Sequence, residues 1–173
     1  MSSGTVPSEG TLADDHAIRQ VLHLHCRGLD RLDAALLGDC YWPGASVDYG
    51  SYKGPADVFA ELVVGALAEQ YELTRHLLAN TLVAIDGDIA QAESCVSAAH
   101  LLKGATEEML FYGRYLDRLE RRDDCWKMQH RQVVIDWSKR LAVSGERDSD
   151  AFAALARGGH READPLYAFL ASD

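Results

Sequence analysis

The sequence predicts an α+β fold in which three helices come first and a long, curved, mostly antiparallel sheet follows and encloses a pocket. Apolar residues recur at helical spacing up to Leu67, with cap and breaker signals between the segments. From Leu73 onward the chain changes to four long stretches rich in strand-forming residues, broken at Asp86-Gly87-Asp88 and Arg122-Asp123-Asp124, where turn chemistry is concentrated. Helices gathered first and strands second imply helices closing one side of a sheet that is long enough to curl into a cone.

Residues 1–10, rich in Ser, Gly and Pro, are expected to form a loose tail. Thr11 and Asp14 resemble a capping box, after which Ile18, Val21, Leu22, His25 and Leu29 mark a helix ending near Gly28. Asp33 caps a short second helix through Leu37 that Gly38 ends, and Tyr41-Trp42-Pro43-Gly44 reads as a turn into a strand over 45–49. Pro55 suits the first turn of a third helix, whose apolar face is Val58, Phe59, Leu62, Val63, Ala66 and Leu67. The strands follow at 73–85, 89–103, 107–121 and 125–138. Residues 11–140 therefore make one domain and 141–173 an extension, with a short helix at 150–156 and a segment, Asp164-Pro165-Leu166-Tyr167, able to fold over a neighbour.

Composition narrows the function. A chain of 173 residues that is 47% hydrophobic builds one sizeable core and leaves little for a second. A formal net charge of -10 repels nucleic acid and anionic membrane, so neither is expected as a partner. With no apolar run of membrane-spanning length and no basic-then-apolar leader, the reading is cytoplasmic. Cys26, Cys40, Cys95 and Cys125 lack metal spacing and read as free thiols, and the seven histidines show no HxxxH or HExxH, so no metal is expected. The Arg118, Arg121 and Arg122 group, set among acids at a turn, reads as a solvated charge-mixed hairpin; Trp126 and Trp137 read as sheet packing.

Asp30 follows the first helix, where an Asp ordinarily serves as a local cap or a solvated charge. His76 gives it a possible partner. Strand alternation places His76, Leu78, Asn80 and Leu82 on one face, and His100 ends a strand whose same face carries Ala92, Ser94, Val96 and Ala98, small residues that leave space before the ring. With the Tyr49 phenol, an Asp and two His in one apolar cavity would supply what proton abstraction and leaving-group protonation need. The carboxylate would fix the imidazole tautomer and raise its basicity.

Leu29-Asp30, Ser46-Val47-Asp48-Tyr49, Thr74-Arg75-His76, the strand ending in His100, and Trp126-Lys127-Met128 through Asp136-Trp137 resemble scytalone dehydratase in order and spacing, over residues 12–138. Asp30, His76, Ser51 to Pro55, and Glu120 to Asp123 with Arg131 are similar to hexachlorocyclohexane dehydrochlorinase. Both belong to the SnoaL-like group of the nuclear-transport-factor-2-like (NTF2-like) superfamily. The resemblance implies an NTF2-like cone and a cofactor-independent lyase that eliminates water from a small, largely apolar cyclic or aromatic molecule. Asp30 would orient His76 as base, and His100 with Tyr49 would bind the leaving oxygen. It further implies His25, Leu29 and Arg131 at the substrate. His25 stands where the dehydrochlorinase has a lysine, and Leu29 where the dehydratase has a tyrosine. Arg131 has two readings, stabilising an anionic leaving group or pairing with a sheet-face carboxylate. The superfamily also contains isomerases, cyclases, ligand-binding modules and dioxygenase small subunits, and its sheets commonly assemble into homo-oligomers, dimers or trimers.

Overall fold

The computed structural model describes residues 9–172. Four strand pairings out of five are antiparallel, and the sheet order is β2-β1-β6-β5-β4-β3. The strands are β1 (Tyr41–Asp48), β2 (Lys53–Pro55), β3 (Tyr71–Asp86), β4 (Ile89–Leu102), β5 (Glu107–Arg122) and β6 (Cys125–Ala142). Helices α1 (Glu9–Arg31), α2 (Ala34–Asp39) and α3 (Ala56–Gln70) pack on one face, and a short α4 (Pro165–Ala171) closes the chain. The sheet is curved and unclosed, as expected from strands of 14 to 18 residues that twist along their length.

The tail expected at 1–10 lies outside the described residues except for Glu9 and Gly10, which open α1. Asp14 is consequently inside the helix rather than at its cap. It holds the sheet instead, accepting from the Trp126 indole at 2.7 Å and from Arg121 at 3.3 Å. Gly28 does not end α1. A Cβ there would lie 3.2 Å from the Leu37 main chain, so this glycine permits α2 to approach closely. The helix ends three residues later, where Leu32 turns left-handed (φ 54°) and the Asp33 N–H reaches the Gly28 carbonyl at 2.8 Å. Asp33 then caps α2, accepting from the Leu36 N–H at 3.0 Å.

Tyr41 to Gly44 is strand, not turn, because β1 runs parallel to β6 from Tyr41 through an irregularity that absorbs Pro43 and Gly44. The short β2 pairs with the end of β1, and Pro55 sits at the N-cap of α3 rather than in its first turn. Gly87 (φ 58°) makes the β3–β4 turn, while Asp123 and Asp124 (φ 50° and 59°) make the β5–β6 turn, both at expected positions.

One core joins Ile18, Leu22 and Leu29 of α1, Leu37 of α2 and Phe59 of α3 to Val47, Ala92, Leu119, Trp126 and Met128 of the sheet. A smaller cluster of Cys26, Val96 and Tyr115, flanked by Leu78, Phe111 and Val133, lies farther along the same inner face. The extension folds back on the helical layer of its own chain: the Tyr167 hydroxyl donates to Asp33 at 2.7 Å, and Arg31 meets Asp164 at 3.3 Å. Trp137 differs from the buried Trp126 in being exposed, stacked on Tyr112 at 4.8 Å. Among the described residues, no helix is long and apolar enough to cross a membrane.

Candidate active site

The last turn of α1 faces the first half of β3. Thr74, His76 and Leu78 alternate inward there, and a bulge between Leu78 and Thr81 then shifts the phase. Asn80 and Leu82, expected beside His76, therefore point outward, and Thr81, Val83 and Ile85 take their place. On β4 every even residue from Ala90 to His100 is buried, so His100 shares the inner face with Ala92, Ser94, Val96 and Ala98.

Asp30 and His76 meet directly. The Nδ1 of His76 lies 2.6 Å from Asp30 Oδ1, the His76 main-chain N–H donates to Oδ2 at 2.9 Å, and the Thr74 hydroxyl donates to Oδ1 at 3.1 Å. An ionised carboxylate only accepts, so Nδ1 carries the ring proton and Nε2 presents its lone pair. Nε2 makes no hydrogen bond to protein among the described residues. The two side chains are nearly enclosed, at 7% and 12% exposure, which strengthens the hydrogen bond relative to one in water.

His100 joins this pair, its ring edge-on to His76 with centroids 5.3 Å apart and 4.8 Å from Tyr71. Burial, and then the neighbouring His76, push His100 down to about 4, against an opposing pull from the main chain of Met109. At neutral pH it is therefore an uncharged imidazole, and its buried Nδ1 has no partner among the described residues.

Tyr49 makes no ring contact with His76 or His100 among the described residues. Its ring packs on Phe59 at 4.2 Å, and its buried hydroxyl sits beside the Arg131 guanidinium without a well-formed hydrogen bond among the described residues. Burial pushes this phenol up to about 12, so it keeps its proton and remains a donor. The Arg131 guanidinium is its principal charged neighbour.

Arg131 follows the second of its two readings. Fully buried, it donates from Nε and Nη2 to both oxygens of Asp117 at 2.7 and 2.8 Å, and from Nη1 to His25 Nδ1 at 2.8 Å. Because arginine has no acceptor, His25 Nδ1 must accept, which places the ring proton on Nε2 for donation to the Tyr41 oxygen at 2.9 Å. Burial and then Arg131 hold His25 well below the usual imidazole range. Both nitrogens are committed inside the protein, so His25 lacks a free polar atom for substrate. Leu29, at 2% exposure, belongs to the core. Asp117 and Tyr41 complete this network and were not singled out by spacing, although Asp117 falls at an inward position of β5 opposite Arg131.

A separate groove of about 1120 Å³ crosses the sheet, bordered by Ser46, Leu82, Glu93, Leu116 and His130. None of Asp30, His76, His100 or Tyr49 lines it. The Asp30–His76 contact lies on the inner face instead.

A curved six-stranded sheet closed by helices, with polar groups on its inner face, defines an NTF2-like protein. The SnoaL-like domain matches residues 10–132, and the chain belongs to that family. No curated protein matches it. Among solved structures it is similar to a hexachlorocyclohexane dehydrochlorinase of type 2, with 24% identity, 76% of this chain and 90% of the other covered, and a TM-score of 0.68. A Novosphingobium aromaticivorans protein proposed to be a scytalone dehydratase shows 19% identity, coverage of 78% and 92%, and a TM-score of 0.68. A Mycobacterium tuberculosis protein of unknown function shows 19% identity, coverage of 87% and 89%, and a TM-score of 0.67. At these identities the likeness is one of fold.

Proposed function

We propose that this SnoaL-like protein is a cofactor-independent lyase of the dehydratase type, acting on a small, largely apolar, hydroxylated cyclic or aromatic molecule. The observation that carries the reading is the 2.6 Å Asp30–His76 contact, which leaves Nε2 of His76 without a protein partner among the described residues. Nε2 removes a proton from a carbon acidified by an adjacent carbonyl or ring. The C–H electron pair becomes the new C=C bond as the C–O bond breaks, and Asp30 stabilises the imidazolium formed.

The leaving oxygen needs a proton, and His100 is a poor source of one, being uncharged at neutral pH. The imidazolium of His76 is the available acid, so one ring takes the proton and returns it, and water leaves from the face on which the proton was removed. His100 acts as a neutral hydrogen-bonding partner beside it. The Tyr49 hydroxyl, buried beside Arg131 with no well-formed hydrogen bond among the described residues, is available to a second oxygen of the substrate.

The experiment offers purified protein a set of cyclic β-hydroxy ketones and follows the absorbance of the conjugated product. Turnover that survives His76→Ala unchanged sinks the reading. Deuterium uptake from D2O without loss of water would point instead to an isomerase using the same pair.

A further inference from the structure

We infer that Thr74 is a positioning residue for the Asp30/His76 pair, tuning the basicity of His76 through the carboxylate oxygen that the imidazole itself uses. The inference rests on the assignment of His76 as base.

The two oxygens of Asp30 are not equivalent. Oδ2 takes one donor, the His76 main-chain N–H, whereas Oδ1 takes two, His76 Nδ1 at 2.6 Å and the Thr74 hydroxyl at 3.1 Å. The hydroxyl and the imidazole therefore compete for the electron density of one atom. A donor to a carboxylate stabilises its charge and makes it a weaker partner for a neighbouring cation. With Thr74 in place, the imidazolium is stabilised less than a bare carboxylate would allow, and the ring returns its proton more readily.

Thr74 is placed for this and for little else. It lies two residues before His76 on the same face of β3, opposite His100 on β4, and is 6% exposed. Its hydroxyl bonds to Asp30 alone among the described residues. The same bond fixes the carboxylate plane, and through it the direction in which Nε2 points.

The other titratable groups around His76 leave this effect visible. Asp30, His25 and Cys26 come from α1 and His100 from β4. His25 and His100 are held uncharged at neutral pH, and burial pushes the Cys26 thiol up to about 12. Asp30 is thus the charged group in direct contact with the ring, while the Arg131 guanidinium, bonded to His25, is held by Asp117.

The test compares Thr74→Val, which keeps the shape and deletes the donor, with Thr74→Ser, which restores it. The His76 protonation midpoint is read by NMR on the full chain without substrate. The expected result is a midpoint higher by about half a unit in Thr74→Val, roughly threefold in proton affinity, and a return to wild type in Thr74→Ser. In turnover assays, kcat should fall in Thr74→Val with KM little changed. Thr74→Ala, read in the same way, stands in if the Val variant does not fold. An unchanged or lowered midpoint in the donor-less variant, or a Ser variant that matches it, overturns the inference. The NMR readout needs no substrate, so it separates this inference from the lyase assignment, which His76→Ala tests on its own.

Discussion

Asp30 and His76 are 46 positions apart in the chain, yet they share two contacts, one through the imidazole at 2.6 Å and one through the His76 main chain at 2.9 Å. The second contact constrains substitution. The main-chain N–H cannot change role, so an amide at position 30 must turn its oxygen toward that N–H and its NH2 toward the ring. Asp30→Asn should thus move the ring proton from Nδ1 to Nε2 and silence the base, lowering turnover about 10²–10⁴-fold, as His76→Ala should. Ring 15N shifts report the tautomer, and finding the wild-type tautomer in active Asp30→Asn protein would refute this account.

Tyr49→Phe separates stability from activity. The hydroxyl is buried beside the Arg131 guanidinium with no well-formed hydrogen bond among the described residues, so removing it should change stability by no more than about 1 kcal/mol, while turnover falls. Urea unfolding and steady-state rates on the same samples check both halves.

The Arg131–Asp117 pair is fully enclosed, and removing one partner strands a buried charge. Asp117→Asn should cost about 3–5 kcal/mol in urea unfolding, more than any exposed ion pair on this sheet, such as Arg140–Glu107. A loss below about 1 kcal/mol would show that the pair contributes little.

His100 should make the fold sensitive to acid. Its folded midpoint, about 4, is below the unfolded value of 6.5, so between these limits the unfolded chain binds the proton that the folded chain refuses. Its contribution is complete above pH 6.5 and is lost as pH falls toward 4. Replacement by Gln should flatten the dependence of Tm on pH in that window, and thermal melts at pH 7 and pH 5 test it.

The four long strands were legible because their ends carry residues suited to left-handed turns, Gly87 and the Asp123-Asp124 pair. The inward direction of His76 was legible because it precedes the bulge, where simple alternation still holds. Beyond it the phase slips, which put Asn80 and Leu82 on the wrong face. Two glycine rules failed for opposite reasons. Gly28 serves packing rather than termination, and Gly44 lies within a strand whose irregular pairing tolerates it. The buried Arg131, Asp117, His25 and Tyr41 network joins three strands and a helix, so no local spacing encodes it. Hairpin register counted from the Asp123-Asp124 turn would have placed Asp117 near Arg131.

The parallel pairing of β1 with β6 also sets the order in which the molecule can assemble. Tyr41 pairs with Met128, and Ser46 with His130, so β1 waits for nearly the whole domain before its inner neighbour exists. The contacts of Asp30 with Thr74 and His76 need only the first half of the chain. Bringing distant segments together is the slow part of folding for such topologies. The β3–β4–β5–β6 meander can form by successive hairpins, whereas β1 needs β6 in place before it can pair, with Val47 opposite Arg131. A refolding chain should therefore acquire the Asp30–His76 contact before the sheet is complete, and lose the β1–β6 seam first when it unfolds.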